Sequence, residues 1–432
     1  MRNRWLERPT LHRTGRGRRF VWIELLHDLV AGSAFVALGD AMSRDPSTDA
    51  FVTFAVTFTA IWLTWTAFTF YQNRFFADDL AHRLLVLVKL LGVSALGLAA
   101  PRVMQGDTRA FSLGYTVIEV VLALLYGRTR GSVPEARSLT GYYALVHLLN
   151  AGVWLVAAFT EGRVTWALWA IGIGLGFSFP ANRRSRQLQL EHPPDVRHMT
   201  ERYGLLTLVL LGLGLASVIR TLAGREDLQT LIGAALAVLL AFCLFWLYFD
   251  DVAGSSIKGE RGAPFVWVYS HLPLGLGLAG SLSGVRTIVA GAPDARVPEG
   301  ARWLVAGGLC LSLLAMALID SVTVRRHVEL GDRARVNARI GAAFLSLLVA
   351  PLGAAMNAVE FLALAAAPSV AQVVFDLMMA PVVALLSDGT DVPTEIAVRG
   401  PAPAQNSSAP PRPARPAEAI RRGTPNELRR DL

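Results

Sequence analysis

The chain is long, apolar and weakly charged, which excludes an ordinary soluble domain. Of its 432 residues, 53% are hydrophobic and only 17% are charged, whereas soluble domains average about 25% charged residues. The net charge of +8 does not indicate nucleic-acid binding, because the basic residues are spread over short segments between apolar blocks. The two cysteines lie inside apolar blocks, and their spacing predicts neither a disulfide framework nor a metal or cofactor site.

The apolar residues form blocks of roughly twenty, the length that crosses a hydrocarbon layer as a helix. The sequence therefore predicts an all-α, polytopic transmembrane helix bundle that follows a basic segment, residues 1–20. We expect twelve spans: about 21–41, 51–71, 82–100, 110–127, 141–160, 163–180, 203–222, 229–249, 264–290, 302–320, 339–356 and 359–386. Prolines interrupt the last two, so a single span with a re-entrant piece is the alternative there.

The distribution of basic residues predicts the orientation. With the N-terminus in the cytoplasm and alternating spans, 31 of the 41 lysine and arginine residues fall on the cytoplasmic side and 9 on the outside. This asymmetry is typical of bacterial inner-membrane proteins and places both termini in the cytoplasm. Residues 387–432, rich in Pro, Ala, Ser and Arg, are predicted to form a disordered cytoplasmic tail.

Short segments of the two halves, residues 21–200 and 201–386, resemble each other. Glu24 corresponds to Glu201 at an offset of 177 residues, and His82 corresponds to His271 at an offset of 189. Six helices in each half would give two copies with the same orientation, a parallel repeat of the kind that some transporters use. Because the identity is weak, two interpretations stay open: a parallel repeat, or two unrelated halves.

The first predicted span contains three ionisable residues. Glu24, His27 and Asp28 lie at i, i+3 and i+4, so they share one helix face. Ionisable groups inside a bilayer are costly and usually face a cavity or a partner. Glu24 lies close enough to the span's end to be a headgroup-level residue instead, whereas Asp28 is deeper and is expected to make a buried polar contact.

The turn before span three, NRFFADDLAHRLL at 73–85, is unusually charged for a membrane turn. Asp78 or Asp79 is well placed to cap the new helix. Spacings of four residues pair Asp79 with Arg83 and Asp78 with His82. Two interpretations fit: a capped, salt-bridged turn, or the cytoplasmic mouth of a polar pathway that continues to Glu24 and Asp28.

The second half offers fewer candidates. Glu201 precedes span seven, and His271 lies two turns into span nine, where a packed hydrogen-bonding role is the simpler interpretation. Gly275, Gly277 and Gly280 spell GxGxxG within a span and follow no strand, so they indicate close helix packing rather than a dinucleotide site.

Several motifs resemble the bacterial low-temperature-requirement A (LtrA) family of multi-pass inner-membrane proteins. They are ELLHDLVA at 24–31, NRFFADDLAHRLL at 73–85, ERYGLLTLVLLGL at 201–213, FWLYFD at 245–250 and VYSHLPL at 268–274. Three positions depart from the family motifs: His27 replaces a phenylalanine, and Phe76 and Leu213 replace acidic residues. The resemblance implies a membrane location and a similar architecture, and it implies no defined substrate.

Three functions are compatible with this sequence. We predict a protein that moves an ion or small solute; the alternatives are a non-transporting membrane factor in envelope or cold adaptation, or a platform for other proteins. An intramembrane enzyme acting on lipid is disfavoured, because no catalytic motif is present, and we expect no enzymatic activity. The predicted pathway residues are Glu24, Asp28, Asp78, Asp79, His82, Arg83, Glu201 and His271. The expected partners are membrane lipids, the unknown ion or solute and a second copy of the chain, and not nucleic acid.

Overall fold

The structure, a computed structural model, describes residues 8–11, 22–252, 256–260, 262–292, 294–324 and 332–387. The predicted segments 1–20 and 387–432 therefore lie almost entirely outside the described residues. Within the described ranges the chain folds into thirteen α-helices, which confirms the predicted all-α class. They are α1 Trp22–Met42, α2 Thr48–Arg74, α3 Leu80–Met104, α4 Arg109–Ser132, α5 Arg137–Ala157, α6 Gly162–Ala181, α7 Arg183–Glu191, α8 Val196–Leu222, α9 Leu228–Val252, α10 Ala263–Ala290, α11 Glu299–Ser321, α12 Asp332–Leu352 and α13 Ala358–Ser387.

The connections contain little regular structure. Two antiparallel pairs of two-residue strands are present: β1 Thr10–Leu11 with β2 Phe75–Phe76, and β3 Ser256–Ile257 with β4 Thr323–Val324. Two 3-10 turns, Pro134–Ala136 and Gly353–Ala355, precede α5 and α13. These short elements join helix ends, so the packing of the helices determines the fold.

Eleven helices among the described residues are long and apolar enough to cross a membrane. They coincide with the predicted spans except the sixth, where α6 lies but is not among the eleven, so the count of twelve is not confirmed. α12 and α13 qualify separately, which favours two spans over one span with a re-entrant piece. The sequence did not predict the short helix α7, and α8 begins seven residues before the predicted start of span seven.

α6 nevertheless runs antiparallel along the length of α5. At one end the hydroxyls of Thr160 and Thr165 are 3.0 Å apart, and at the other Asn182 donates to the Tyr142 hydroxyl at 2.5 Å. Between them, the Trp154 ring packs so closely against α6 at Gly172 that a Cβ atom there would overlap the indole nitrogen. The two helices therefore cover the same depth of the bundle.

Polar side chains define where several helices begin. Ser47 accepts a hydrogen bond from the Ala50 amide at the start of α2, and Asp79 accepts one from the His82 amide at the start of α3. Asp195 does the same for α8. Each side chain satisfies a backbone N–H that has no partner inside its helix.

The GxGxxG segment lies inside α10 and allows close contact with α11. A Cβ atom at Gly277 would lie 2.6 Å from the Gly308 carbonyl oxygen and 2.8 Å from the Ser312 amide nitrogen. Only a glycine permits this approach, since the neighbouring atoms are backbone. Gly280, three residues later on the same helix, has no atom within 4 Å of such a Cβ position.

We expect Gly277→Ala to lower the free energy of unfolding by about 1–3 kcal/mol, because the added methyl group forces α10 and α11 apart. Gly280→Ala, with open space around it, should be neutral or stabilise by up to about 1 kcal/mol. Unfolding of both purified variants in detergent checks this, and equal losses at the two positions would contradict the packing described.

Candidate functional site

Three ionisable side chains of α1 lie in the interior of the bundle. Glu24, His27 and Asp28 share one face of the helix, and their exposed fractions are 1%, 0% and 1%. Charged groups so far from water are tolerated only when other polar groups compensate them. Glu24 is therefore a buried side chain that needs a polar partner, although it lies in the first turn of α1.

α8 supplies basic partners for the two carboxylates. His198 Nε2 lies 3.3 Å from Glu24 Oε2, and Arg202 Nη2 lies 2.8 Å from Asp28 Oδ1. His198 and Arg202 are four residues apart on the first turns of α8 and therefore share one face. Both are buried, so α1 and α8 are joined by acid–base contacts inside the bundle.

Aromatic side chains of α2 and α8 enclose Asp28. The Trp65 indole donates a hydrogen bond of 2.8 Å to Asp28 Oδ1. The edge of the Tyr203 ring meets Trp65 with the centroids 4.9 Å apart, and the Tyr203 hydroxyl donates to the Thr66 hydroxyl at 3.3 Å. The carboxylate is thus held by one indole and one guanidinium in a largely apolar surrounding.

Lys89 of α3 completes the group. Its ammonium nitrogen lies 2.7 Å from His27 Nε2 and 4.5 Å from the centroid of the Phe68 ring, and its exposed fraction is 0%. The other ring nitrogen of His27 is 3.8 Å from Asp28 Oδ1. We call the following six residues the buried charge cluster: Glu24, His27, Asp28, Lys89, His198 and Arg202.

A second buried acid–base pair adjoins the cluster. Glu119 of α4 contacts His147 of α5, with Oε2 and Nδ1 2.7 Å apart. α4 packs closely on α3 beside the cluster, since a Cβ atom at Gly92 of α3 would lie 2.8 Å from the Ile118 side chain of α4. The His147 ring is stacked on Tyr126 at a centroid distance of 5.6 Å. Ionisable groups therefore extend from α8 through α1 and α3 to α5.

Some polar atoms of the cluster have no hydrogen-bond partner among the described residues. They are Asp28 Oδ2, His27 Nδ1 and Arg202 Nη1, all buried. Buried polar atoms are nearly always satisfied by protein or by ordered water. Asp28 Oδ2 can accept a proton or a hydrogen bond, and Arg202 Nη1 can donate a hydrogen bond, to a water molecule or small ion without first breaking a protein contact.

A small cleft of about 20 Å³ lies between α1, α8 and α10, towards the opposite end of α1. Its polar lining includes Asp40, which contacts Arg286 at 2.8 Å and the Ser217 hydroxyl at 2.5 Å. Its lining also includes Phe35, which is seven residues, or about 10 Å, from Asp28 along the helix axis. An apolar layer one to two turns thick therefore separates the cleft from the cluster.

The ion pairs in the charged turn before α3 differ from the predicted ones. Asp79, and not Asp78, caps α3, and its carboxylate binds Arg128 of α4 at 2.6 Å. Asp78 pairs with Arg83 at 2.7 Å, and both side chains are about half exposed. The predicted pairs Asp79–Arg83 and Asp78–His82 are therefore wrong, because Asp79 faces into the bundle, where α4 supplies the closer base.

The remaining predicted pathway residues lie apart from the cluster or at its edge. Glu201 pairs with Arg197 one turn away on the partly exposed side of α8. His271 is buried, with its ring nitrogens 2.9 Å from the Tyr248 hydroxyl and 2.7 Å from the Trp267 carbonyl oxygen, which is the simpler role expected for it. His82 is buried with its ring stacked on Tyr71. Of the eight predicted residues, the structure brings only Glu24 and Asp28 together in the cluster.

Four members of the cluster, His27, Lys89, His198 and Arg202, are not among the predicted pathway residues. Lys89 had a usable signal, because it is one of two lysines in the chain and lies inside an apolar span. His198 and Arg202 precede the predicted span seven, because the apolar block begins only at residue 203, whereas α8 begins at Val196. His27 lies on the predicted polar face of the first span, beside Glu24 and Asp28, but is not among the predicted pathway residues.

Another buried polar group lies in the second half. Arg339 of α12 forms an ion pair of 2.5 Å with Asp320 of α11 and donates to the Leu247 carbonyl of α9 at 2.8 Å. Arg335 lies 3.8 Å from the same carboxylate. These contacts join three helices, so a structural role accounts for them.

Asp79 and Asp78 provide a matched pair for testing the turn. Removing the Asp79 carboxylate leaves the mostly buried Arg128 without its ion pair and α3 without its cap, so we expect Asp79→Ala to lower the free energy of unfolding by about 3 kcal/mol. Asp78→Ala removes only an exposed ion pair and should cost about 0.5 kcal/mol. Unfolding in detergent measures both, and a larger loss for Asp78→Ala would refute this assignment.

Comparison with known proteins agrees with this architecture. The family model described as "Bacterial low temperature requirement A protein (LtrA)" matches residues 19–384, which include every helix that contributes to the cluster and the cleft. No curated protein matches the chain.

Proposed function

The chain belongs to the bacterial low temperature requirement A (LtrA) family and is a multi-pass membrane protein, and we propose that it moves an ion or small solute through a polar pathway between its helices. The buried charge cluster carries this proposal. Six ionisable side chains at the contact of α1, α3 and α8 are far more than the packing of apolar helices requires. Ionisable groups inside a membrane protein mark ion or substrate pathways by default.

The cleft supplies one side of the pathway. Its mostly apolar lining includes Asp40, Ser217 and Arg286, one polar side chain from each of α1, α8 and α10, and it reaches along α1 as far as Phe35. The layer between the two contains Gly32, where a Cβ atom would overlap a Val209 methyl group. A small rotation of α8 against α1 at this tight contact would connect cleft and cluster, as expected for alternating access between packed halves.

The direction of the helices supports twelve crossings with both termini on the same side. α1 and α8 run parallel, because contacts advance together along both helices. From their first turns to their last, these contacts are Glu24–His198, Asp28–Arg202, Gly32–Val209 and Asp40–Ser217. An odd number of crossings must then lie between α1 and α8, which requires α6 to cross along with α2 to α5. The excess of basic residues on that side favours the cytoplasmic side of the inner membrane for both termini.

The same contacts support the proposed parallel repeat. Asp40 and Ser217 are 177 residues apart, as are Gly32 and Val209, and this is the offset that relates Glu24 to Glu201 in the sequence. When two copies are related by a two-fold axis, residues beside the axis contact their own equivalents. α1 and α8 therefore have the contacts expected of equivalent helices at the centre of two six-helix halves.

A non-transporting membrane factor is the second candidate. Its support is that the two carboxylates of the cluster already contact basic side chains, which joins α1 to α8 without a ligand. In that case the cluster stabilises the assembly of the two halves, and its removal would change stability alone. Transport measurements on folded variants separate the two functions.

Flux into liposomes tests the proposed function directly. With proton- and potassium-sensitive dyes, we expect Asp28→Asn to retain a tenth or less of the flux. The substitution alters a buried ion pair, which costs more than about 1.4 kcal/mol, and about 1.4 kcal/mol corresponds to a factor of ten. The asparagine side chain keeps the shape of the aspartate and can still accept from Trp65. Glu201→Gln, on the partly exposed side of α8, is the matched control and should retain full flux. Folded protein without flux above the Asp28→Asn level, over a range of ions, would favour the second candidate.

The location of the termini is a separate prediction. Tags fused to the two ends of the chain should both be inaccessible to an impermeant label in intact cells and react after lysis, since twelve crossings return the chain to its starting side. A tag inserted after Gly106, in the turn between α3 and α4, should react in intact cells. Ends that react on opposite sides would exclude twelve crossings.

A further inference from the structure

We infer that the buried charge cluster is a proton relay, in which the His27 ring transfers a proton between Lys89 and Asp28. This inference rests on the proposed function, since it names the proton as the ion that is moved. It concerns residues that lie at the contact of α1 and α3, and it assigns a direct role to His27, the position where this chain departs from the family motif.

The contact between His27 and Lys89 fixes how protons are arranged. The two nitrogens are 2.7 Å apart, which is a hydrogen-bond distance. Two protonated nitrogens would repel each other at this distance, so one must donate and the other accept. The ammonium of Lys89 is the donor when His27 Nε2 is unprotonated, and the ring proton of His27 then lies on Nδ1.

His27 Nδ1 is directed towards the carboxylate that can accept its proton. It lies 3.8 Å from Asp28 Oδ1 and has no hydrogen-bond partner among the described residues. A shift of about 1 Å brings the two atoms to hydrogen-bond distance. One imidazole therefore separates an acid from a base, the arrangement in which histidine accepts a proton on one nitrogen and releases one from the other.

The transfer balances in atoms and charge. The Nζ–H bond of Lys89 breaks as an Nε2–H bond forms, and the Nδ1–H bond breaks as the carboxylate of Asp28 gains a proton. The ring ends as a neutral imidazole with its proton on the other nitrogen, and the ammonium and carboxylate become a neutral amine and a neutral acid. The net charge of the cluster does not change, and while the proton is on Asp28 its carboxyl group still offers Arg202 a neutral oxygen acceptor.

The charges around His27 and Lys89 require one additional proton within the cluster. The charged and titratable side chains facing this pair are Glu24 and Asp28 of α1, His82 of α3, Glu119 of α4, His147 of α5, and His198 and Arg202 of α8. Before the transfer, the three carboxylates of Glu24, Asp28 and Glu119 face two cations, the Lys89 ammonium and the Arg202 guanidinium. Because a buried net charge is costly, neutrality requires one additional proton, which the histidines or the carboxylates can exchange.

Nitrogen NMR of histidine-labelled protein, reconstituted at full length, tests the relay without measuring transport. The ring nitrogen shifts distinguish the charged ring from the two neutral tautomers. We expect His27, identified by loss of its signals in His27→Phe, to carry its proton on Nδ1 while Lys89 is charged and on Nε2 once Lys89 is neutral, with this change of tautomer falling between pH 5 and 9. In Lys89→Met this change should disappear or move by at least one pH unit. His271, which contacts only Tyr248 and Trp267 through its ring nitrogens, is the internal control and should not respond to Lys89→Met.

Flux measurements on the same samples separate this inference from the proposed function. We expect His27→Phe and Lys89→Met to reduce proton flux by about 100-fold, the lower end of what a positioned proton-transfer group contributes. A His27 ring that keeps one tautomer and charge from pH 5 to 9, with Lys89→Met without effect, overturns the relay even if another ion is transported. A ring that responds as expected in a protein without any ion flux supports the relay and overturns the proposed function instead.

Discussion

The ion pair between Asp28 and Arg202 is the constraint on which the rest of the structure depends. Both side chains are buried, and either charge alone would cost several kcal/mol in the interior. The pair therefore fixes the depth of α1 against α8, and through the Trp65 hydrogen bond it also fixes α2. The cleft and the cluster lie along the same two helices, so any movement of one half against the other must preserve or exchange this contact.

Most of the architecture could be predicted from the sequence, because apolar blocks of spanning length are a local property. The twelve predicted blocks all correspond to helices, and the prediction that Asp78 or Asp79 caps α3 holds for Asp79. Helix starts were less predictable where polar residues continue a helix beyond its apolar part. α8 is the clearest case, since capping by Asp195 extends the helix through His198 and Arg202 before the apolar block begins.

The partners of the charged residues could not be predicted, because spacing along one helix says nothing about its neighbours. Asp79 has a base four residues away in Arg83, yet it binds Arg128, which is 49 residues distant in the chain. The cost of leaving a buried carboxylate without a base exceeds the small gain from an exposed pair within one helix. The same reasoning explains why Glu201, on the outer side of α8, was a poor candidate, although its counterpart Glu24 lies in the cluster.

The charges of α1 and α8 complement each other in a way that two identical halves would not allow. At the offset of 177 residues, Leu205 takes the place of Asp28, and Leu25 takes the place of Arg202. The buried acids lie on α1 and their basic partners on α8, so neither helix could form these contacts with a copy of itself. The unlike charges of the two helices therefore hold α1 against α8 as well as forming the cluster.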